Sequence, residues 1–310
     1  MILNYSKLLI ISFTSFLIFF MSSCDKEDLG DGTELFNPDF KDIQLKSGFS
    51  NNAISINSTQ WTVNYIKDAV SGEVLQDKDG KPLVLDAFGD VELPGGWLKL
   101  EKIEEDNLLN VSLKENFDTQ ARKFLIGILA DGTQDEISFT QSRGIGYKLV
   151  KKEIIEIPGS RKEYTSDEGC HTIKLTNHTA VAKNMETAGI FKDVNYLSEF
   201  SSDEYGAFDW VNSSDSLIFM GEILKDDIAY WSRQVPYRSG QYLEPFVKTV
   251  NMEQLLVAPY SSVHVSGEIT YLTRECHYTF TIENLSSGYR FDISGTWKQK
   301  VPLTSITRVF

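Results

Sequence analysis

The stretch that decides the fold runs from Gly95 to Gln141 and reads GGWLKLEKIEEDNLLNVSLKENFDTQARKFLIGILADGTQDEISFTQ. Apolar and polar residues alternate from Leu109 to Leu113 and again from Glu136 to Thr140. An apolar residue at every second position is typical of a strand with one buried face. The pair Asp131-Gly132 stands between two strand-like runs and predicts a tight hairpin turn. This stretch therefore predicts one face of a small antiparallel β-sandwich.

The same residues carry a resemblance to a known family. A Trp, a strand, an Asn, an Arg before an apolar strand, a turn and a strand ending in Gln follow one another, with Trp97, Asn116, Arg122 and Gln141 in those places. The pattern resembles the closing part of the BACON domain, the Bacteroidetes-associated carbohydrate-binding often N-terminal domain, and Trp61 fits its earlier Trp. The resemblance implies an immunoglobulin-like β-sandwich and, loosely, association with carbohydrate. Residues 70–94 depart from the family as an insertion.

The length and the net charge of the chain limit its number of domains and the kinds of partner it can bind. The chain has 310 residues, enough for two domains of ordinary size, and holds 19 Phe, 13 Tyr and 5 Trp, as expected for strand-rich proteins. The net charge is −14. Because such a surface repels phosphate backbones and anionic lipid head groups, we expect no nucleic-acid partner.

The N-terminus predicts a lipoprotein. Residues 1–23 hold Lys7, an apolar run and then Ser22-Ser23 before Cys24, which is the pattern of a secretory signal peptide ending in a lipobox-like motif. The apolar run is short for a membrane span, so we expect a lipid anchor at Cys24 as the membrane attachment. Residues 24–42 are acidic and predict a tether. They also resemble a surface-export signal, with a plain solvated linker as the alternative. Together these features predict a place at the outer membrane or cell surface.

The remaining chain predicts an all-β protein with two antiparallel β-domains. Residues 43–142 form the BACON-like sandwich, residues 143–146 form a glycine-containing joint, and residues 147–310 form a second domain that is a sandwich or a barrel. Its clearest signal is three alternating runs, predicted to be the consecutive strands of a meander: residues 263–271, 276–282 and 289–297. The candidates for short helices are Tyr196 to Phe208 and Asn251 to Leu256.

Two Cys-His pairs, Cys170-His171 and Cys276-His277, raise the question of a metal site. Neighbouring side chains on a strand point to opposite faces, so one pair does not easily offer both groups to one ion, and we expect no metal site. Two alternatives stay open for the thiols. Cys170 and Cys276 form a disulfide, which an oxidising compartment allows, or they are two buried or half-buried free thiols.

Motifs of catalysis do not occur in the sequence. It has no nucleophile elbow, no His-Glu-x-x-His, no phosphate-binding loop and no dinucleotide fingerprint. The carboxylates are numerous, but none stands in a recognisable catalytic setting. We therefore expect a non-enzymatic protein that needs no cofactor.

The best candidate for a ligand surface is a cluster of aromatic residues mixed with planar polar groups. Sugars stack their C–H faces on exposed rings and hydrogen-bond to groups at the ring edges. The candidate ligand-binding residues are Trp210, Trp231, Arg233, Tyr237 and Tyr242. The alternative is that these rings fill the core.

The leading functional hypothesis is a non-catalytic, membrane-anchored lipoprotein that binds glycan or acts as a spacer in polysaccharide capture. Its expected partner is a polysaccharide or a surface protein complex. The alternative is a structural or adhesion protein that binds another protein, with a glycoside-acting enzyme as a weaker third hypothesis.

Overall fold

The fold is built from strands throughout, as predicted. The computed structural model describes residues 34–103, 107–211, 216–246 and 254–310. Within these ranges the helical segments are two single 3-10 turns, Pro38–Phe40 and Ala188–Phe191. The predicted signal peptide, Cys24 and most of the tether lie outside the described residues. Leu35–Phe310 make one compact unit that contains two β-regions. Whether each region folds independently stays a prediction.

The first region is a two-sheet sandwich. One sheet has the order β1-β8-β7-β3 and the other has the order β2-β6-β5-β4. All pairings are antiparallel except β1 with β8. The strands are β1 (Asp42–Leu45), β2 (Ser50–Ser55), β3 (Trp61–Asp68), β4 (Gly89–Glu92), β5 (Leu98–Ile103), β6 (Leu108–Leu113), β7 (Arg122–Ala130) and β8 (Thr133–Gln141).

The two sheets enclose one apolar core. The predicted alternation is confirmed on β6, where Leu109, Val111 and Leu113 are buried and the residues between them are not. Trp61 is 1% exposed and lies in this core, whereas Trp97 is partly buried and packs against it. Burial of large apolar side chains between the sheets is the main force that holds the sandwich together.

The hairpin between β7 and β8 confirms the turn predicted at Asp131-Gly132. Both residues have positive φ, 50° and 78°. Two consecutive left-handed residues make the type I′ turn, whose twist matches that of the flanking strands. Asp followed by Gly is the pair that tolerates this backbone, which is why two residues of sequence identified the hairpin.

The second region is organised by one long hairpin. Its two strands carry a seven-stranded sheet with the order β10-β20-β21-β13-β18, in which β9 and β11 also pair with β20. Three small sheets pair β12 with β19, β14 with β17 and β15 with β16. The strands are β9 (Tyr147–Glu156), β10 (Lys162–Ser166), β11 (Ile173–Thr176), β12 (Lys183–Glu186), β13 (Asn195–Ser201), β14 (Leu217–Phe219), β15 (Ile223–Lys225), β16 (Ile228–Trp231), β17 (Gln234–Pro236), β18 (Gly240–Pro245), β19 (Gln254–Val257), β20 (Ser262–Asn284) and β21 (Arg290–Val309).

The predicted three-strand meander is wrong in one respect. The runs at residues 263–271 and 276–282 are one continuous strand, β20, and only the turn after Asn284 reverses the chain. No Gly, Pro or Asn stands between the two runs to make a turn. Odd-numbered residues are buried up to Tyr271 and even-numbered ones from Leu272 onward. The strand therefore buries one face up to Tyr271 and the opposite face from Leu272 onward. In the sequence, this shift in the apolar pattern has the same form as a break between two strands.

That change of face gives the second region two cores. The Val265 core consists of Leu175, Ile190, Phe191, Val194, Val257, Val265, Ile269 and Tyr271. The Trp297 core lies against the other face of β20 and includes Leu272, Cys276, Tyr278, Phe280, Ile293 and Trp297. Because successive residues of a strand point to opposite sides, one hairpin supports both cores.

The two predicted helices are not formed within the described residues. Tyr196, Ser198 and Phe200 are buried on alternate positions of the strand β13, and Gln254–Val257 is the strand β19. The prediction was wrong at β13 because Ser198 breaks the apolar pattern. Its hydroxyl is buried because it accepts a hydrogen bond from Nε1 of Trp297 at 2.7 Å.

Candidate functional site

The residues that carry the family resemblance form a hydrogen-bond network at one end of the sandwich. Asn116 is fully buried and donates from Nδ2 to the carbonyl oxygens of Gln120, Gln141 and Ser142 at 3.0, 3.3 and 3.2 Å. Its Oδ1 accepts the backbone N–H of Asp118 at 3.0 Å. A buried side-chain amide of this kind satisfies loop carbonyls that would otherwise lack partners. Asn116 therefore acts as a structural residue in this chain.

Gln141 and Arg122 continue the network toward the second region. Nε2 of Gln141 donates to the carbonyl oxygens of Ser47, Gly48 and Lys114. The Arg122 guanidinium lies 4.8 Å from the ring centroid of Trp97, and its Nη2 donates to the hydroxyl of Tyr205 at 2.6 Å. Since Tyr205 belongs to the second region, Arg122 connects the two β-regions.

Glu115 is a buried carboxylate at the same junction. It is 5% exposed, and its Oε1 accepts hydrogen bonds from the Tyr147 hydroxyl at 3.0 Å and from Nδ2 of Asn284 at 2.6 Å. Its Oε2 has no hydrogen-bond partner in the described part of the chain. Burial raises the pKa of Glu115, while the bonds from Tyr147 and Asn284 oppose that change.

A cleft of about 420 Å³ opens beside this carboxylate, and we call it the junction cleft. Its rings come from both β-regions and its rim is rich in carboxylates. It is lined by Phe49, Lys114, Glu115, Phe117, Asp203, Glu204, Tyr205, Tyr289, Phe291 and Asp292. Phe49 is 52% exposed and Tyr289 is 38% exposed, so both side chains are partly open to solvent.

The other three rings form the wall of the junction cleft. Phe117 lies 5.7 Å from Tyr205 and 5.8 Å from Phe291 between ring centroids. Its ring rests on the backbone of Gly206, where an added Cβ would come within 2.0 Å of it. Gly206 also has a φ of +72°, which disfavours any other residue. The glycine thus lets the first region place an aromatic wall against the second.

A second cleft, of about 490 Å³, shares Phe117 and Tyr205 with the junction cleft. It includes the half-buried Trp97, with Arg122, Asp118 and Asp209 around it. Aromatic rings beside polar side chains can hold a ligand that has apolar faces and hydroxyl edges, as sugars do. The two clefts together make the junction the strongest candidate site among the described residues.

Three of the predicted ligand-binding residues do not serve as open stacking rings. Trp210, Trp231 and Tyr237 are 6%, 3% and 3% exposed and lie in the Trp297 core. The Tyr237 hydroxyl and Nε1 of Trp210 both donate to the carbonyl oxygen of Ala207 at 2.9 Å. A buried ring cannot stack on a sugar, so the core alternative corrects the prediction at these residues.

The other two predicted residues, Arg233 and Tyr242, lie nearer the surface, and the Arg233 guanidinium is 5.5 Å from the ring centroid of the buried Trp231. Arg233 pairs with Glu244, and its guanidinium lies 4.8 Å from the ring centroid of Tyr196. Tyr242 is half-buried, with the Arg238 guanidinium 5.3 Å from its ring centroid. The structure does not bring Arg233 or Tyr242 into the junction cleft, whose lining includes neither of them.

The two thiols are free, which corrects the disulfide alternative. Cys276 is buried in the Trp297 core, whereas Cys170 packs against the Val265 core. These cores lie on opposite faces of the long hairpin, so the sulfur atoms do not meet. Among the described residues, no group of three or more His, Cys, Asp and Glu side chains is placed to hold a metal ion. In that part of the chain, no helix has the length and apolar character to cross a membrane.

The insertion at residues 70–94 forms a different kind of cleft. It measures about 900 Å³ and is lined mainly by apolar residues, among them Leu83, Val84 and Leu93. No aromatic side chain lines it, so it lacks the stacking faces that the junction cleft offers. The one aromatic residue of the insertion, Phe88, is 50% exposed but does not line this cleft.

Sequence reasoning missed Phe49, Phe117, Tyr289 and Phe291. One local signal was present, because Phe49 and Tyr289 each follow a glycine and come directly before a strand. Aromatic residues at strand ends are less covered by the sheet than those at strand centres. Their convergence depends on the contact between the two regions, which no local pattern contains.

Comparison with known proteins finds distant likenesses in structure. No family model and no curated protein matches the chain. An NMR structure of a protein from Bacteroides thetaiotaomicron is 17% identical, with a TM-score of 0.29, over 39% of this chain and 98% of that one. A lamprey immune protein is 11% identical, with a TM-score of 0.29, over 85% of this chain and 96% of that one. The complex of Dpr11 IG1 with DIP-gamma IG+IG2 is 7% identical, with a TM-score of 0.25, over 82% of this chain and 92% of that one. These values assign no function, and the resemblance to the BACON family stays a prediction.

Proposed function

We propose that this chain is a non-catalytic, lipid-anchored extracytoplasmic protein that captures glycan in the junction cleft. The observation that carries the proposal is the pair of open rings, Phe49 and Tyr289, beside the carboxylates of Asp203 and Asp292. Rings supply faces for the C–H surface of a sugar, and carboxylates accept hydrogen bonds from its hydroxyl groups. The lipobox-like Cys24 and the acidic tether support attachment to a membrane.

Truncating either open ring should weaken glycan binding without unfolding the protein. We expect Phe49→Ala and Tyr289→Ala each to cost about 1–3 kcal/mol of binding free energy, because a partly exposed stacking ring contributes to binding more than to the core. The measurement is affinity electrophoresis and calorimetry against neutral, acidic and amino polysaccharides, with melting temperature recorded in parallel.

Matched controls exist elsewhere in the chain. Phe88 is 50% exposed against 52% for Phe49, and Tyr164 is 40% exposed against 38% for Tyr289. Phe88→Ala and Tyr164→Ala should leave glycan binding unchanged. If the parent protein binds no member of the panel, glycan capture is excluded, and the spacer or protein-binding hypothesis takes its place.

The lipid anchor is a separate prediction. Cys24→Ala should release the protein from membranes and abolish labelling by a fatty-acid analogue, because the thiol of Cys24 is the acceptor that the lipobox-like motif indicates. Cys170→Ala serves as the control and should retain both properties. Membrane retention and labelling of the Cys24→Ala variant would show that the anchor lies elsewhere.

A further inference from the structure

We propose that the junction cleft selects glycans that carry protonated amino groups and rejects glycans that carry carboxylates. This inference rests on the proposed function and names the ligand class of the same cleft. Three features of the cleft support it: the balance of charge on its lining, the free acceptor capacity of its carboxylates, and the partly exposed rings beside the buried carboxylate of Glu115.

The first feature is the excess of carboxylates over cations. Glu115, Asp203, Glu204 and Asp292 line the cleft, and Lys114 is its one basic residue. The Lys114 ammonium already lies 3.8 Å from a carboxylate oxygen of Glu92 and 5.5 Å from the ring centroid of Tyr205. Its charge is thus partly compensated before any ligand arrives. An approaching uronate would meet like charges, whereas an ammonium group would meet opposite ones.

The second feature is that these carboxylates keep acceptor capacity for a ligand. Glu204 accepts the backbone N–H of Ser294 through Oε2, and Asp292 accepts the Thr281 hydroxyl through Oδ1. In the described part of the chain, Asp203 pairs with no side chain. Each carboxylate has about four lone-pair sites, so most of them remain free. A sugar ammonium has three donors and can satisfy several of these acceptors at once.

The third feature combines the rings and the buried carboxylate. Phe49 and Tyr289 are partly exposed, and a cation within about 6 Å of a ring centroid is attracted to the ring face. Glu115 also lines the cleft, but its Oε2 is enclosed by the protein, so a ligand would meet this carboxylate through its charge. An amino sugar matches both requirements, because it offers an apolar C–H face and an ammonium group.

The test compares three oligosaccharides of equal length with the full-length protein by calorimetry. They are an oligomer of glucosamine, the same oligomer with every amine acetylated, and an oligomer of galacturonic acid. At about pH 5.5 the amines are protonated and exposed carboxyls are ionised. We expect the glucosamine oligomer to bind about ten-fold more tightly than the acetylated one and the uronate oligomer not to bind. Added salt should reduce the preference.

Two double variants separate the cleft from the overall negative charge of the chain. Asp203→Asn with Asp292→Asn should raise the Kd for the glucosamine oligomer about five-fold. Asp79→Asn with Asp131→Asn removes the same charge from two turns outside the cleft and should leave the Kd unchanged. Equal losses in both variants would assign the binding to net charge and overturn the inference.

The outcomes distinguish the inference from the proposed function. Equal or tighter binding of the acetylated or uronate oligomer overturns the charge preference and leaves glycan capture standing. Absence of binding by all three oligomers and by the whole polysaccharide panel overturns both.

Discussion

Replacing Trp297 with Ala is expected to lower the free energy of unfolding by about 3–5 kcal/mol. The Trp297 side chain is fully buried and sits in the core that bears its name. Its ring centroid lies 5.1 Å from the Arg274 guanidinium and 6.1 Å from the ring of Phe200. Removal of the indole leaves a cavity and also orphans the buried hydroxyl of Ser198, which accepts its N–H.

Urea denaturation followed by circular dichroism measures this loss, because the signal does not depend on the indole that is removed. Trp297→Phe keeps most of the apolar volume and should cost less than the Ala variant. Trp97→Ala is the second comparison, since Trp97 only packs against the edge of its core. A loss below about 1 kcal/mol in Trp297→Ala would contradict its place in the core.

Replacing Asn116 with Asp is expected to cost about 3 kcal/mol or more. The substitution keeps the shape of the side chain but removes both N–H donors, and it places acceptors against the carbonyl oxygens of Gln120, Gln141 and Ser142. The three carbonyls lose their partner and a buried charge is added. The free energy of unfolding, obtained by urea denaturation, is the quantity to compare.

The pH dependence gives this prediction a second readout. Burial and the facing carbonyls raise the pKa of the introduced carboxyl above its unfolded value of about 3.9. When the pKa of a carboxyl is raised on folding, the protein loses stability as the pH rises and the carboxyl ionises. The loss in free energy of unfolding caused by Asn116→Asp should therefore be smaller at pH 4 than at pH 8. Asn51→Asp is the control, because Asn51 is exposed, and it should cost no more than about 0.5 kcal/mol.

The second region contains the same hydrogen-bond arrangement around Asn177. Its Nδ2 donates to the carbonyl oxygens of Val181, Val257 and Ala258, and its Oδ1 accepts the N–H of Thr179. At both Asn116 and Asn177, the side-chain N–H groups donate to the carbonyl of the residue four positions later and to two consecutive carbonyls of a later segment. At both sites, the side-chain oxygen accepts the backbone N–H of the residue two positions later. Asn177→Asp should therefore show the same loss and the same pH dependence as Asn116→Asp. A cost confined to one of the two sites would contradict the equivalence.

This recurrence was invisible in the sequence. The closing pattern of the first region includes a Trp, an Arg and a Gln, whereas the second region shares only the Asn and the hydrogen-bond geometry around it. Hydrogen bonds to backbone carbonyls do not depend on the identity of the residues that supply them. A motif built on them can recur with every neighbour changed.

Local patterns were sufficient to predict the strands and the hairpin turn of the stretch from Gly95 to Gln141, but they predicted helices where β13 and β19 are strands. The alternation in β6 follows from the opposite directions of successive side chains, and the turn at Asp131-Gly132 follows from the left-handed backbone that this pair tolerates. Both depend on residues within a few positions of each other. The same local view failed at β20, because a change of buried face within one strand has the same pattern as a break between two strands.

The candidate site depended on the tertiary structure. Composition singled out the aromatic residues around Trp210 and Trp231, but the number of rings in a segment does not say which of them are covered by other strands. The small sheets and the long hairpin bury those two, while Phe49 and Tyr289, far apart in the chain, remain open at one junction. The sequence by itself determined the all-β class and the turn at Asp131-Gly132, because both are set by neighbours along the chain. Only the packing of one β-region on the other decided which rings a ligand can reach, because exposure is a property of the surrounding atoms.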